Sequence, residues 1–300
     1  MAMRITDQGM ANSRIGWLNQ SRSNVAEHER SISSGHIIDQ PSDDPAATAQ
    51  ILRHDIRLQR IGQYQRNNSN AKLWVGAADG ALQAAANNLG RAKTLAVQAG
   101  NDTLGTVENA ALAADIRAIA EEVRTTANAK VSGRAIFAGT SGAVEAYDAS
   151  GSYLGDAGDV ELTIDTGETV KIGSSGPAVF GASNPGDPFN GSVFEVLNAL
   201  ADAVEAGIST DIRTGIESID TATTLIGSAQ GRVGAISQQL DAAEFRHSGE
   251  RLSVEATVSK LRDTDVAEAI IRLRSAEAGY EATLSATARG VSVSLLDFLR

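Results

Sequence analysis

The chain has 300 residues, of which 42% are apolar and 4% aromatic, with no cysteine and a formal net charge of −11. Without cysteine there are no disulfides, thiolate nucleophiles or cysteine-ligated zinc sites. No apolar run reaches the roughly 18–20 residues of a membrane-spanning helix, and no lysine/arginine cluster marks a nucleic-acid surface, so neither a membrane nor a nucleic acid is expected as a partner.

The first twenty residues, MAMRITDQGMANSRIGWLNQ, lack the apolar stretch of a cleavable secretory signal. A cytoplasmic location or export by a signal-independent route is therefore expected. Charge is unevenly distributed. Residues 140–212 carry one basic residue, Lys171, against 12 acidic ones, whereas residues 1–139 carry 15 basic and 13 acidic, and residues 213–300 carry 10 and 12. Near-neutral ends suit close packing, and an acidic middle suits a solvated outer module. The apolar content is rich in alanine and poor in aromatics, which fits thin, long helical packing better than a thick core.

In chain order, residues 6–33 read as a first helix closed by Gly35. Ala11, Leu18, Val25 and Ile32 recur every seven residues, with Ile15 four after Ala11, a partial heptad seam. The stretch QPSDDPAAT (40–48) starts a second helix. Ser42, Asp43 or Asp44 is positioned to cap it, and Pro45 to occupy its first turn. The helix is expected to run to about residue 100, on the order of 80–90 Å if unbroken at 1.5 Å per residue. Gly76, Gly80 and Gly90 are possible interruptions. Its middle, QYQRNNSNAK (63–72), is polar on every face, which fits either a wet helix–helix interface or an exposed face. A third helix is expected over 106–130, with Leu112, Ile116, Ile119 and Val123 on one side.

After Gly133 the pattern changes. Val160, Leu162 and Ile164 alternate with polar residues, and Val170 and Ile172 follow Gly167, which predicts a β-hairpin. Phe180 and Phe189 are candidates to fill the core of this β-rich insert. Helix returns from Ser192 as N-cap to Gly207, then from about 210 to 298. Near the end Val266, Leu273 and Tyr280 are seven apart, and Ile270, Leu284, Val291 and Phe298 occupy the alternate seam position. The fold class expected is mainly α, with long antiparallel or coiled-coil terminal helices and a small β-rich inserted domain. The segments are 1–40 and 261–300 as terminal coiled-coil pieces, 41–138 and 192–260 as helical arms of a rod, and 139–191 as the insert.

Candidates for site chemistry are weak. Asp43 and Asp44 are adjacent, do not face each other on a helix, and are accounted for by capping. GSYLGDAGDVE (151–161) spaces acids and glycines but fits no twelve-residue calcium loop. His28, His36, His54 and His247 show no metal-ligand spacing, and GRVG (231–234) is too short for a phosphate loop. No catalytic residue, cofactor site or metal ligand is assigned.

The arms resemble the flagellin superfamily, and within it the hook-associated proteins of the hook–filament junction. The stretches that carry this are MRITDQGM (3–10), PSDDPAATAQILR (41–53), QYQRNNSNAKLWV (63–75), LGRAKTLAVQAGNDT (89–103), GRAIFAGT (133–140) and the C-terminal 265–299. Flagellin itself is the alternative, since it shares the arms. The family pattern begins at Met-Arg-Ile, which makes Met3 a candidate start. The resemblance implies a non-enzymatic structural subunit, exported through the flagellar type III apparatus after a transient cytoplasmic stage. It also implies partners: further copies in a ring at the distal end of the hook, a first hook-associated protein, flagellin, and a cytoplasmic export chaperone. The candidate assembly seam is Ala11, Ile15, Leu18, Val25 and Ile32 at one end of the chain. At the other end it is Val266, Ile270, Leu273, Tyr280, Leu284, Val291, Leu295 and Phe298. These stripes are either faces between subunits or core faces of a monomeric bundle.

Overall fold

The structure is a computed structural model. It describes the backbone of residues 2–101 and 105–298, and the side-chain surroundings of residue 9 and of 12–101 and 105–289. Seven α-helices and four short strands are present among these: α1 (Ala2–Ser34), α2 (Pro45–Ala99), α3 (Thr106–Ala127), β1 (Lys130–Val131), β2 (Arg134–Ala135), β3 (Glu161–Asp165), β4 (Glu168–Lys171), α4 (Gly176–Phe180), α5 (Val193–Ala206), α6 (Ser209–Arg262) and α7 (Val266–Phe298). The chain forms two compact units, one of residues 1–60 and 250–300 and one of residues 61–249, and α2 and α6 contribute to both.

Local chemistry sets the helix ends. Asp44 Oδ1 accepts the backbone amides of Ala46 and Ala47, both at 2.9 Å, with Pro45 as first helical residue, so Asp44 is the N-cap of α2. Asp43 instead accepts from Asp39 and Gln40 and closes the preceding turn. Gly35 ends α1 at a φ of +74°, which a side chain would strain. Ser192 and Glu195 form a reciprocal capping box at the start of α5, and Gly207 closes that helix in the left-handed region. The glycines at 76, 80 and 90 do not interrupt α2, which runs unbroken for 55 residues. The expected segment 210–298 does break: α6 stops at Arg262, and Asp265 caps α7 by accepting from Ala267 at 2.9 Å. No proline or glycine marks that break.

In the unit of residues 61–249, α2 buries Ala71, Val75, Ala78, Leu82, Ala85, Leu89, Ala92 and Ala96, spaced three or four apart. Against them α6 presents Ile212, Ile219, Ile226, Ala229, Leu240 and Ala243. Helices α3 and α5 pack together and complete this core. Alternation of alanine with larger aliphatics keeps the backbones close and the core thin. The stretch 135–138 folds into the same core. β1 and β2 turn at Ser132 and Gly133, both with positive φ (+51° and +82°), the geometry of a tight hairpin turn.

Phe180 also lies in this core, edge-on to Phe137 at 5.2 Å and close to Phe194 and Tyr147. The segment 139–191 thus shares its aromatic core with the helices. The β3–β4 hairpin lies on α2 and α6, burying Ile164, Val170 and Ile172 against Ala71, Val75, Leu240 and Ala243.

The polar stretch 63–72 proves to be an interface. Asn68 is 2% exposed, and its amide donates to the Leu240 carbonyl at 2.9 Å. Asn67 donates to the Thr163 carbonyl of β3 at 2.7 Å, while Ser69 and Asn70 face solvent. Lys72 bridges Asp241 and Glu244 of α6. His247 is 1% exposed, and its Nε2–H donates to the Ile164 carbonyl at 2.7 Å, since a carbonyl only accepts. Several acids of the middle segment are also matched rather than merely solvated. Arg117 of α3 pairs with Asp202 and Glu205, and Arg246 of α6 with Glu168 and Asp165.

Removing a buried hydrogen-bonding amide leaves its partner unmatched, at a cost of about 1–2 kcal/mol. Asn68→Ala is expected to lower the stability of the full chain by that amount, while exposed Ser69→Ala changes it by under about 0.5 kcal/mol. Urea unfolding followed by circular dichroism measures both; equal midpoints would remove the interface role of Asn68.

Candidate assembly interface

In the unit of residues 1–60 and 250–300, α1 and α7 pack along each other. A two-residue clip where the chain leaves and re-enters them fixes their antiparallel direction. Ile37 N donates to the Arg262 carbonyl at 2.7 Å, and Thr264 N to the Gly35 carbonyl at 2.9 Å. His36 and Asp263 pair across this bridge at 3.2 Å. Beneath it, Ile51, Val254 and Val258 form a small buried cluster with Ile38, Leu58 and Leu261.

Half-covered residues of α1 at Arg14, Leu18, Ser21, Val25, His28 and Ile32 keep an alternating four–three spacing, with Ser31 half-covered beside Ile32. On α7 the covered residues are Ala269, Leu273, Ala276, Tyr280, Thr283 and Thr287, again four and three apart. Only Ala269 is fully buried among the described residues of these two helices. The seam is therefore narrow, and more than half its positions are polar or alanine.

The structure divides the predicted seam. Leu18, Val25, Ile32, Leu273 and Tyr280 are half-buried on the paired faces. Ile15 is not on that face: it is 53% exposed, and Arg14, Ser21 and His28 take the alternate positions of α1. Val266, Ile270 and Leu284 are likewise exposed, because α7 turns Ala269, Ala276 and Thr283 toward its partner instead. Both choices keep a four–three rhythm with Leu273 and Tyr280. Small residues at the alternate position permit closer backbones, whereas the bulkier aliphatics remain on the flank. The side chains of Ala11, Val291, Leu295 and Phe298 lie outside the described residues. Trp17 is 67% exposed and Ile271 is exposed too; neither belongs to a heptad stripe, so periodicity passed over them.

Among the described residues no group of three or more His, Asp or Glu is placed to hold a metal ion. In the glycine-rich stretch 151–161, Asp156 accepts from the Thr140 amide and hydroxyl and the Gly158 amide, which hold its carboxyl below the usual carboxylate range against the opposing effect of desolvation. Asp159 and Glu161 face Lys171.

These features define a class: a mainly helical chain whose terminal helices pair through a narrow seam and leave apolar flanks exposed. The chain belongs to the bacterial flagellin family. Its N-terminal helical region matches residues 5–142 and its C-terminal helical region residues 216–299. The chain is 23% identical over 303 aligned residues to "Flagellar hook-associated protein 3" of Escherichia coli, covering 93% of this chain and 96% of that one. It is 29% identical over 180 residues to the protein of the same name from Salmonella typhimurium, covering 59% of this chain and 57% of that protein. Flagellins match as well; for that of Clostridium tyrobutyricum the match spans 46% of its length. The fold resembles the crystal structure of the flagellar junction protein FlgL from Legionella pneumophila, with a TM-score of 0.58 at 19% identity over 72% of this chain and 100% of that one.

Two predictions follow from the seam and its clip. Leu273→Ala removes a half-buried contact and should lower the helix content of the unassembled chain by circular dichroism, whereas Leu284→Ala should leave it unchanged. Equal losses would put both residues on one face. Asp263 is held below the usual carboxylate range by a hydrogen bond from Ser259, with Arg262 and His36 adding to it against desolvation. Because its folded pKa is depressed, its contribution is complete above the ordinary value of about 3.9 and is lost as pH falls through the folded pKa. Hydrogen exchange at the Ile37 and Thr264 amides, relative to unprotected rates, should therefore speed up below about pH 4. In Asp263→Asn that acid-dependent change should vanish; its persistence would exclude Asp263 as the titrating group.

Proposed function

We propose that this chain joins the flagellar hook to the filament, as a non-enzymatic subunit that assembles through its terminal helices. The observation that carries the reading is the end-to-end correspondence with a hook-associated protein 3, spanning 93% of this chain and 96% of that one. The flagellin matches support the shared arms and extend over less of their own length, as with the 46% covered in one of them. Flagellin remains the second reading on that ground.

In mechanism, the paired seam of α1 and α7 is the part that assembly completes. With one fully buried side chain between them among the described residues, the two helices gain little from each other. Burial of the open flanks against neighbours adds the missing stabilisation, at roughly 25 cal/mol per Å² of apolar surface. Coupling of helix formation to assembly keeps the chain exportable through the type III apparatus and prevents premature polymers. Its signature is helix content that rises on assembly. The partners in this reading are further copies in a ring, a first hook-associated protein on one side and flagellin on the other, with a cytoplasmic chaperone holding the C-terminal arm before export.

Antibody labelling of the chain on intact flagella, viewed by electron microscopy, tests the reading. A single band at the distal end of the hook is expected. Label along the whole filament would make the chain a flagellin, and absence from the flagellum would end the assembly reading.

A further inference from the structure

Within the unit of residues 1–60 and 250–300, two helix faces carry charges that no described residue answers. On the outer face of α2, Leu52 and Ile56 lie one turn apart and are 57% and 56% exposed. Arg53 and Arg60 flank them, seven residues apart, both exposed and without a hydrogen bond or ion pair among the described residues. Their neighbour Arg57 differs, being held by Glu250 at 2.6 Å. On α7 the flank beside the half-buried stripe presents Val266, Ile270 and Leu284, all exposed. Glu277 and Glu281 lie on the same flank, exposed and equally unpaired, whereas Glu268 is bound by Arg272 at 2.6 Å. Arg274, one turn after Ile270, borders the same flank, is exposed and pairs with neither.

Each face is unfavourable alone. Like charges at Glu277 and Glu281, four residues apart on one helix, repel by a few tenths of a kcal/mol. Exposed aliphatics beside unpaired charges give the isolated subunit nothing in return. Together the faces are complementary: two aliphatics with two guanidinium groups on one, and three aliphatics with two carboxylates on the other, whose net charge stays negative with Arg274 at its edge. The carboxylate-bearing positions are about 6 Å apart along α7 and the guanidinium-bearing ones about 10 Å along α2, at 1.5 Å per residue. Arginine's long side chain spans that difference and its fork suits a carboxylate.

We propose that the Leu52–Arg60 face of α2 receives the Val266–Leu284 flank of α7 from a second copy of this chain. The occupant is a second copy because both halves of the match are on this chain and both are exposed within one copy. Two different patches meeting in this way form a head-to-tail contact, which generates a ring when its rotation closes. The proposal rests on the reading that the chain assembles with itself, and adds which helices meet.

Charge exchange tests it in the full chain, expressed in its own host lacking the native copy. Arg53→Glu with Arg60→Glu, and separately Glu277→Arg with Glu281→Arg, should each cut the fraction of cells bearing filaments at least tenfold. Combining all four should restore at least half of the wild-type fraction. Two harmless reversals, or a fourfold variant no better than either pair, would overturn the contact while the wild type still bears filaments. A wild-type chain that supports no filaments would sink the assembly reading instead. Since the chain has no cysteine, Ile56→Cys with Leu284→Cys offers an independent check on flagella that have assembled. Oxidation should link neighbouring copies only when both cysteines are present, because a disulfide requires Cα atoms about 4.4–6.8 Å apart. Incorporated but unlinked double-cysteine subunits would also overturn the contact.

Discussion

The close approach of α2 and α6 is the constraint on which the unit of residues 61–249 depends. Alanines at 71, 78, 85, 92 and 96 of α2 alternate with Val75, Leu82 and Leu89, so the seam is regular but shallow. A shallow seam buries little surface per residue, and length makes up for it. The other elements add the depth. Helices α3 and α5 cover one part of the pair, and the aromatic group of Phe137, Tyr147, Phe180 and Phe194 fills the space beside them. A chain with only 4% aromatic residues concentrates four of them at one point.

Where the seam is too polar to be driven by burial, specific hydrogen bonds replace it. Asn67, Asn68 and His247 each reach a backbone carbonyl on a neighbouring element. Such bonds are modest in net energy but costly to leave unmade, so they define register more than they add stability. The β3–β4 hairpin is held in this way at Thr163 and Ile164, and its Glu168 carboxylate accepts from Arg246, which fixes one placement on the helices.

The α1–α7 pair follows the opposite design. Its alternate positions carry Arg14, Ser21 and His28 on one helix and Ala269, Ala276 and Thr283 on the other. Aliphatics that would strengthen the pair, Ile15, Ile270 and Leu284, stand on the outside. A pair arranged like this is suited to a subunit that completes its packing with neighbours.

Sequence alone determined the helical class, the N-cap at Ser192, the helix stop at Gly35, the buried face of α3 and the hairpin around Gly167. Each is a local matter of period, cap or turn, and neighbours along the chain decide it. It also carried the family resemblance, through the wording of both arms. The heptad stripes were legible as stripes, but two solutions shared Leu273 and Tyr280, and period could not choose between Ala269 and Ile270. Only the tertiary structure decided that, because the choice depends on how closely a partner helix can approach. The same holds for the polar stretch 63–72, whose buried and exposed amides look alike until Leu240 and Thr163 are brought beside them. It holds for the break at Asp263–Asp265, which no helix breaker marks and which the backbone hydrogen bonds to Gly35 and Ile37 stabilise. Local energies wrote the elements, and contacts between residues far apart in the chain chose their faces.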